Sequence, residues 1–235
     1  MGQNSDALLC ERRYHKCSYD DAFEYFDLAL EEQRVALGER HPDVADMCIN
    51  IGDFQVELGA LDDVMDKYLE ALMILRMNHG TTHFKVCKIL YNIGVVHKVR
   101  DEFSESLNAF YQALDIARNI RNKDEFIIII LYEIGLIYQN REDVKNMTLI
   151  FKDIIELIEQ KLGQGHICIA SVLNLQRKFF AEHGMIESSN VATKEMQEVL
   201  DNVSNRSHWN AFADVVIELF GFAINDIDCA AAAAA

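Results

Sequence analysis

The sequence repeats itself at a spacing of about 42 residues. A shift of 41 residues carries Gly94 to Gly135 and Phe110 to Phe151, and a weaker copy places Gly184 at the position of Gly59. Repeats of this length predict stacked supersecondary units, because one unit alone cannot bury its apolar face. Seven positions recur 42 residues later as identical or similar residues: Asn50, Gly52, Leu61, Tyr68, Ala71, Leu72 and Ile74.

Each unit has the pattern of two helices. In the segment 43–79, apolar residues recur at helical spacing, Gly59 interrupts them, and Asp62 or Asp63 opens the second helix. Small Gly52 marks a place where a neighbouring helix comes close. The same pattern predicts eleven helices, over residues 5–17, 20–36, 43–58, 61–79, 83–100, 103–121, 125–141, 143–162, 166–183, 186–203 and 208–225.

The linker before the second unit carries a family signature. Residues 37–45 read LGERHPDVA, and Asn50-Ile51-Gly52 and Gly59 follow. Over roughly residues 5–203 this resembles the 42-residue tetratricopeptide repeats of kinesin light chains. The resemblance implies an all-α, right-handed α-solenoid of about five helix pairs plus a terminal helix, in a single domain over 1–228 with an alanine tail at 229–235. The repeats would span 1–42, 43–84, 85–125, 126–166 and 167–207, with the terminal helix at 208–225.

Composition excludes several classes of protein. There are 22 Lys and Arg against 38 Asp and Glu, a net charge of −16, which argues against nonspecific binding of nucleic acid or anionic membranes. No apolar run reaches the roughly 18 residues needed to span a bilayer, and the N-terminus lacks a signal-peptide pattern. The six cysteines form no CxxC pair. We therefore expect a cytoplasmic, reduced protein without membrane insertion.

No pattern of catalytic residues is present. The sequence has no phosphate-binding loop, GxSxG or HExxH motif. His79 and His83 have metal-ligand spacing, but Gly80 interrupts the helix between them. His41 and His166 are expected to pack or cap at the linkers. The sequence therefore predicts no enzyme, no cofactor and no metal.

Charge is unevenly distributed along the chain. Residues 19–70 hold fifteen acidic and three basic side chains, whereas residues 71–100 hold five Lys or Arg and no acid. This contrast is either chance variation in a solvated surface or a binding surface. Lys88, Asn92 and Lys98 share one stripe of helix 83–100 with Tyr91. Two ammonium groups, an amide and a phenol on one stripe suit an extended peptide.

In tetratricopeptide repeats the first helices line a concave groove. The resemblance implies that groove asparagines hold peptide backbone and that basic residues receive acidic, tryptophan-containing segments. The acids Asp46, Asp53 and Glu57 depart from that pattern. We expect an adaptor or scaffold that binds an extended, acidic peptide through Asn50, Asp53, Lys88, Tyr91, Asn92, Lys98, Tyr132, Gln139, Asn174 and Lys178.

The segment 209–224 is apolar nearly all round. A terminal repeat normally needs a polar outer face, so this segment either folds back on the preceding helix pair or forms an interface. The second possibility gives an alternative function: a structural subunit that self-associates or joins a larger assembly. It would dock through its convex face or through this terminal helix, with Trp209, Phe212, Val216 and Phe220 at the interface.

Overall fold

The structure, a computed structural model, describes residues 22–61, 63–163 and 165–201, and all regular secondary structure in these ranges is helical. The all-α prediction is thus confirmed, and the helix ends within the described ranges differ from the predicted ones by at most three residues; the predicted ends at 20 and 203 lie outside these ranges. Predicted helices 5–17 and 208–225 lie outside the described residues. The helices are α1 (22–37), α2 (Pro42–Glu57), α3 (Val64–His79), α4 (Phe84–Val99), α5 (Phe103–Arg118), α6 (Asp124–Asn140), α7 (Val144–Leu162), α8 (Ile167–Glu182) and α9 (Ile186–Asp201).

Histidines cap three of the helices that begin a helix pair, α2, α4 and α8. The Nδ1 atom of each accepts a hydrogen bond from the backbone N–H two residues later, at 3.2 to 3.3 Å. An N-cap acceptor satisfies one of the donors that a helix start leaves unpaired. The expectation that linker histidines cap or pack is therefore confirmed, and the capping set is His41, His83 and His166.

The turn inside each helix pair keeps one backbone geometry although its residue changes. At the first turn, Gly59 N–H donates to Val56 O at 3.0 Å and Ala60 N–H donates to Gln55 O at 2.9 Å. This is the Schellman arrangement, which needs a left-handed residue after the helix. Equivalent bonds and a positive φ of 54 to 71° occur at all four such turns in the described part of the chain, at Gly59, Asp101, Glu142 and Gly184.

The linkers between pairs repeat in the same way. Gly38, Gly80 and Gly163 have φ of 80 to 95°, and Asn122 also has a positive φ, of 59°, in the third linker, where the sequence signature is absent. Asn tolerates the left-handed region better than most residues with a Cβ. A positive φ thus recurs at this repeat position, although α5 ends at Arg118, four residues before Asn122.

The described helices fall into two compact units, one ending at Glu102 and one beginning at Phe103. In the first unit α2 packs on α3, and α3 packs on α4. Helix α1 joins them: the rings of Phe23 and Phe26 lie 5.5 and 5.4 Å from that of Phe54 on α2. Arg34 on α1 pairs with Glu70 on α3 at 2.6 Å.

In the second unit each helix from α5 to α9 packs on the next. Phe110 and Phe151 are fully buried, as the repeat predicts. Lys161 on α7 forms an ion pair with Asp124 on α6 at 2.7 Å, and Asp153 lies 3.6 Å from Arg118 on α5. The prediction of a single domain stays a prediction.

Candidate functional site

The first contact that builds the site joins α2 to α4. Lys85 Nζ lies 2.7 and 2.9 Å from the two carboxylate oxygens of Asp46. Both side chains are partly exposed, so this pair contributes little to stability, but it fixes the charge of this surface. The carboxylate of Asp46 is neutralised by a lysine from the acid-free segment.

The second contact is a network around Asp53. Tyr68 donates its hydroxyl to Asp53 Oδ1 at 2.5 Å, and Asn92 donates its amide to the same oxygen at 2.9 Å. The ring of Tyr68 is buried, and burial, followed by the hydrogen bond to Asp53, raises the pKa of this phenol far above its usual value. The network ties α2, α3 and α4 together through one carboxylate.

Asn50 and Lys88 lie between these two contacts. On α2, Asn50 follows Asp46 by four residues and precedes Asp53 by three; on α4, Lys88 follows Lys85 by three and precedes Asn92 by four. Residues at these spacings share one helix face. Both side chains are exposed, and neither forms a hydrogen bond or ion pair within the described part of the chain. We call this surface the α2/α4 patch: Asp46, Asn50, Asp53, Lys85, Lys88 and Asn92.

The other predicted residues of α4 are less open. Tyr91 and Lys98 are half-buried, and both have contacts within the protein. Lys98 lies ten residues after Lys88, or about 15 Å along the helix. It is therefore separated from the centre of the α2/α4 patch.

In the second unit, α6 carries Tyr132 and Gln139. Burial, and then the nearby Glu133 carboxylate, raise the pKa of Tyr132. The side-chain oxygen of Gln139 is buried and accepts no hydrogen bond in the described structure. An unsatisfied buried acceptor is costly. Because the side-chain oxygen of Gln139 is buried, it is not available to a ligand in this conformation.

Helix α8 carries Asn174 and Lys178. Asn174 Oδ1 accepts hydrogen bonds from Arg177 Nε at 3.3 Å and Arg177 Nη2 at 2.8 Å. Lys178 is exposed. Asn174 therefore presents an amide whose oxygen is already engaged, unlike that of Asn50.

The sequence pattern did not indicate two residues that form these contacts. Lys85 stands out there only as one of the five basic residues of 71–100, and Tyr68 only as a recurring position of the repeat. Tyr68 did carry a signal, because the equivalent positions hold Phe110 and Phe151, and a hydroxyl added at a core position needs a polar partner. The interface residues Trp209, Phe212, Val216 and Phe220 lie outside the described residues.

The described ranges of the chain contain no group of three or more His, Cys, Asp or Glu side chains placed to hold a metal ion. None of their helices combines the length and the apolar character that crossing a bilayer requires.

Comparison with known proteins identifies relatives of this repeat. No protein-family model matches the chain. Protein KINESIN LIGHT CHAIN-RELATED 1 of Arabidopsis thaliana is 22% identical over 223 residues, which cover 92% of this chain and 34% of that protein. The chain thus spans about a third of the length of this curated relative.

Two solved structures share the fold. A putative kinesin light chain of Podosopora anserina with nearly identical TPR-like repeats has a TM-score of 0.65 at 13% identity, over 86% of this chain and 96% of that chain. BtubC (BKLC) from P. vanneervenii has a TM-score of 0.62 at 14% identity, over 87% and 83%. These likenesses confirm the resemblance found in the sequence: the chain has the all-α solenoid fold of tetratricopeptide-like repeats and is similar to proteins of the kinesin light chain type.

Proposed function

We propose that the chain is a non-catalytic protein-binding module and that the α2/α4 patch binds an extended peptide through a carboxylate. The repeat type of its relatives supports the general role, since those proteins share this fold. The observation that carries the specific role is the pair Asn50 and Lys88. Both polar groups are exposed and form no hydrogen bond or ion pair within the described structure. The ion pair of Lys85 with Asp46 lies on one side of them, and the hydrogen bond from Asn92 to Asp53 lies on the other.

The chemistry of the two groups is complementary to a peptide. The carboxamide of Asn50 offers two donors and an acceptor, which match the C=O and N–H of a peptide backbone. The ammonium of Lys88 offers three donors and a positive charge, and charge-assisted hydrogen bonds to a carboxylate are the strong ones. Asp46 is neutralised by Lys85, so it repels an incoming acid less than its charge suggests.

Glu57 gives the bound peptide a direction. It is exposed at the end of α2, seven residues or about 10 Å beyond Asn50. An acidic side chain of the ligand is therefore favoured at Lys88 and disfavoured near Glu57. The peptide would carry its carboxylate at one end of the patch and neutral or apolar side chains at the other.

A cytoplasmic location is part of the proposal. The cysteines of the described part of the chain are Cys48, Cys87 and Cys168; all three are buried, and none of them forms a disulfide there. Buried thiols without disulfides suit a reducing compartment.

The test uses a fluorescein-labelled 12-residue peptide with acidic residues in one half and neutral or apolar residues in the other, titrated with the protein at 50 and 300 mM NaCl. Lys88→Glu is expected to weaken binding by about tenfold or more and to flatten the salt dependence, because an attraction becomes a repulsion. Asn50→Ala is expected to weaken binding a few-fold at both salt concentrations. Fluorescence anisotropy gives the dissociation constants.

The matched control is Arg40→Glu, which makes the same charge change in the linker before α2. Arg40 is exposed and lies outside the α2/α4 patch. Equal losses of peptide affinity for Lys88→Glu and Arg40→Glu would show that only the net charge of the protein matters and would refute the proposal. Failure of the unaltered protein to bind the acidic peptide would refute it as well.

A further inference from the structure

A groove of about 680 Å³ lies among the last three helices of the second unit. Helices α7 and α9 form its walls, and α8 forms its floor. Its size falls in the range of pockets that bind ligands or side chains of a partner. We call it the α7–α9 groove. Its lining consists of Val144, Thr148, Lys152 and Ile155 on α7, Leu173, Gln176 and Phe180 on α8, and Glu187, Ser188, Val191, Ala192 and Glu195 on α9.

The groove is apolar and elongated. Leu173 and Phe180 on the α8 floor are buried, as is Ala192 on the α9 wall, while Val191 on the same wall is 57% exposed. On α7 the lining residues run from Val144 to Ile155, eleven residues or about 16 Å of helix. A length of three helical turns fits side chains that recur at i, i+4, i+7 and i+11 on a partner helix.

The α9 wall carries unbalanced negative charge. Glu187 and Glu195 are both exposed, and neither forms an ion pair with a described residue. They are eight residues apart, or about 12 Å along the helix. On the α7 wall, Lys152 lies 3.6 Å from Glu156 of its own helix, so its charge is partly compensated.

We propose that the α7–α9 groove binds an amphipathic helix of a partner protein. Apolar side chains on one face of that helix fill the groove, and two basic residues about two turns apart on its flank pair with Glu187 and Glu195. Charge complementarity selects this occupant over the chain's own segment 208–225, whose charged residues are the acidic Asp214 and Glu218. The site is on different helices from the α2/α4 patch and takes the opposite charge.

The experiment compares two labelled 18-residue helices that share leucines at i, i+4, i+7 and i+11. One has lysines two turns apart on one flank, and the other has glutamates there. We expect the basic helix to bind the full chain at least tenfold more tightly than the acidic helix in anisotropy titrations. The double variant Glu187→Lys, Glu195→Lys is expected to reverse this preference, whereas Glu182→Lys, an exposed acid outside the groove, leaves it unchanged.

A second pair of variants tests the apolar wall. Val191→Arg is expected to abolish binding of the basic helix, and Asn190→Arg, on an exposed neighbour outside the lining, is expected to preserve it. Equal binding of both helices, or binding of neither, would overturn the proposal. A concentration-dependent dimer in light scattering that Val191→Arg dissociates would also overturn it, since a second copy would then fill the groove. Lys88→Glu is expected to leave this binding unchanged, so the two sites can fail separately.

Discussion

The hydroxyl of Tyr68 lies 2.5 Å from Asp53 Oδ1, and the ring that carries this hydroxyl fills the space above Gly52. A Cβ atom at Gly52 would meet Tyr68 Cε1 far inside van der Waals contact. The absence of a side chain at one repeat position thus lets a core tyrosine reach across to the surface. Its hydroxyl holds the carboxylate to which Asn92 also donates.

Tyr68→Phe is expected to destabilise the protein by about 1 kcal/mol, the typical contribution of one hydrogen bond. The ring itself should still pack, because Phe110 and Phe151 are buried at the equivalent positions. Urea unfolding measures the change. Tyr25→Phe is the control, since Tyr25 is 74% exposed and its loss of a hydroxyl should cost almost nothing. If Tyr68→Phe left the free energy of unfolding unchanged, water would replace the tyrosine hydroxyl at Asp53 without loss of stability.

Gly52→Ala is expected to destabilise the protein and Gly135→Ala to stabilise it, although the two glycines are equivalent in the repeat. At Gly52 the new methyl group must displace the Tyr68 ring, and overpacking of this kind costs about 1–3 kcal/mol. At Gly135 the nearest atom, Ile150 Cγ2, is at 3.5 Å, which is ordinary contact. Alanine there gains up to about 1 kcal/mol of helix propensity. Matching losses at both sites in thermal unfolding would contradict the structure.

The repeat allowed most of the fold to be predicted, because its spacing fixes which residues face the core. The errors lie at helix ends. Helix 61–79 begins at Val64, since the turn after Gly59 uses three more residues than predicted. Helix 103–121 ends at Arg118, and the left-handed residue that follows is Asn122 rather than a glycine.

The site was harder to predict than the fold. Sequence spacing placed Lys88 and Asn92 on one stripe of α4, and the structure agrees. It could not show that Asn92 would donate to Asp53 or that Lys85 would pair with Asp46, because both contacts depend on how α2 and α4 are aligned. Those two contacts decide which polar groups of the patch remain for a ligand.

Glu142→Gly is expected to stabilise the protein by about 0.5–1 kcal/mol. Glu142 has a φ of 54°, where a Cβ is unfavourable, and glycine already occupies the equivalent turn position at Gly59. Asp101→Gly should gain less, because aspartate tolerates this conformation better. Chemical denaturation measures both variants. The reverse change, Gly59→Ala, should destabilise, and a gain there would contradict the proposed cause.

Stability is expected to fall between about pH 9 and 11 in part because of Cys48. Burial, and then the Glu70 carboxylate, raise the pKa of this thiol from 9.0 to about 11. The folded state therefore holds the proton more tightly than the unfolded state, so this contribution is complete below pH 9 and is lost as the pH rises toward 11. Cys48→Ala should flatten the alkaline decline in urea midpoints. An unchanged slope would assign the decline to other groups.

Asp46→Ala is expected to strengthen binding of the acidic 12-residue peptide several-fold. In the unaltered protein the ammonium of Lys85 lies 2.7 Å from an Asp46 carboxylate oxygen. The substitution releases this ammonium, so a second cation becomes available three residues from Lys88. The cost to stability should be small, about 0.2–1 kcal/mol, because the pair is partly exposed. Asp27→Ala is the matched control: it frees Lys67 from a similar ion pair between α1 and α3, away from the patch, and should leave peptide affinity unchanged. Because Asp46→Ala makes the net charge less negative by the same amount as Asp27→Ala, only a difference between them locates the peptide at α4.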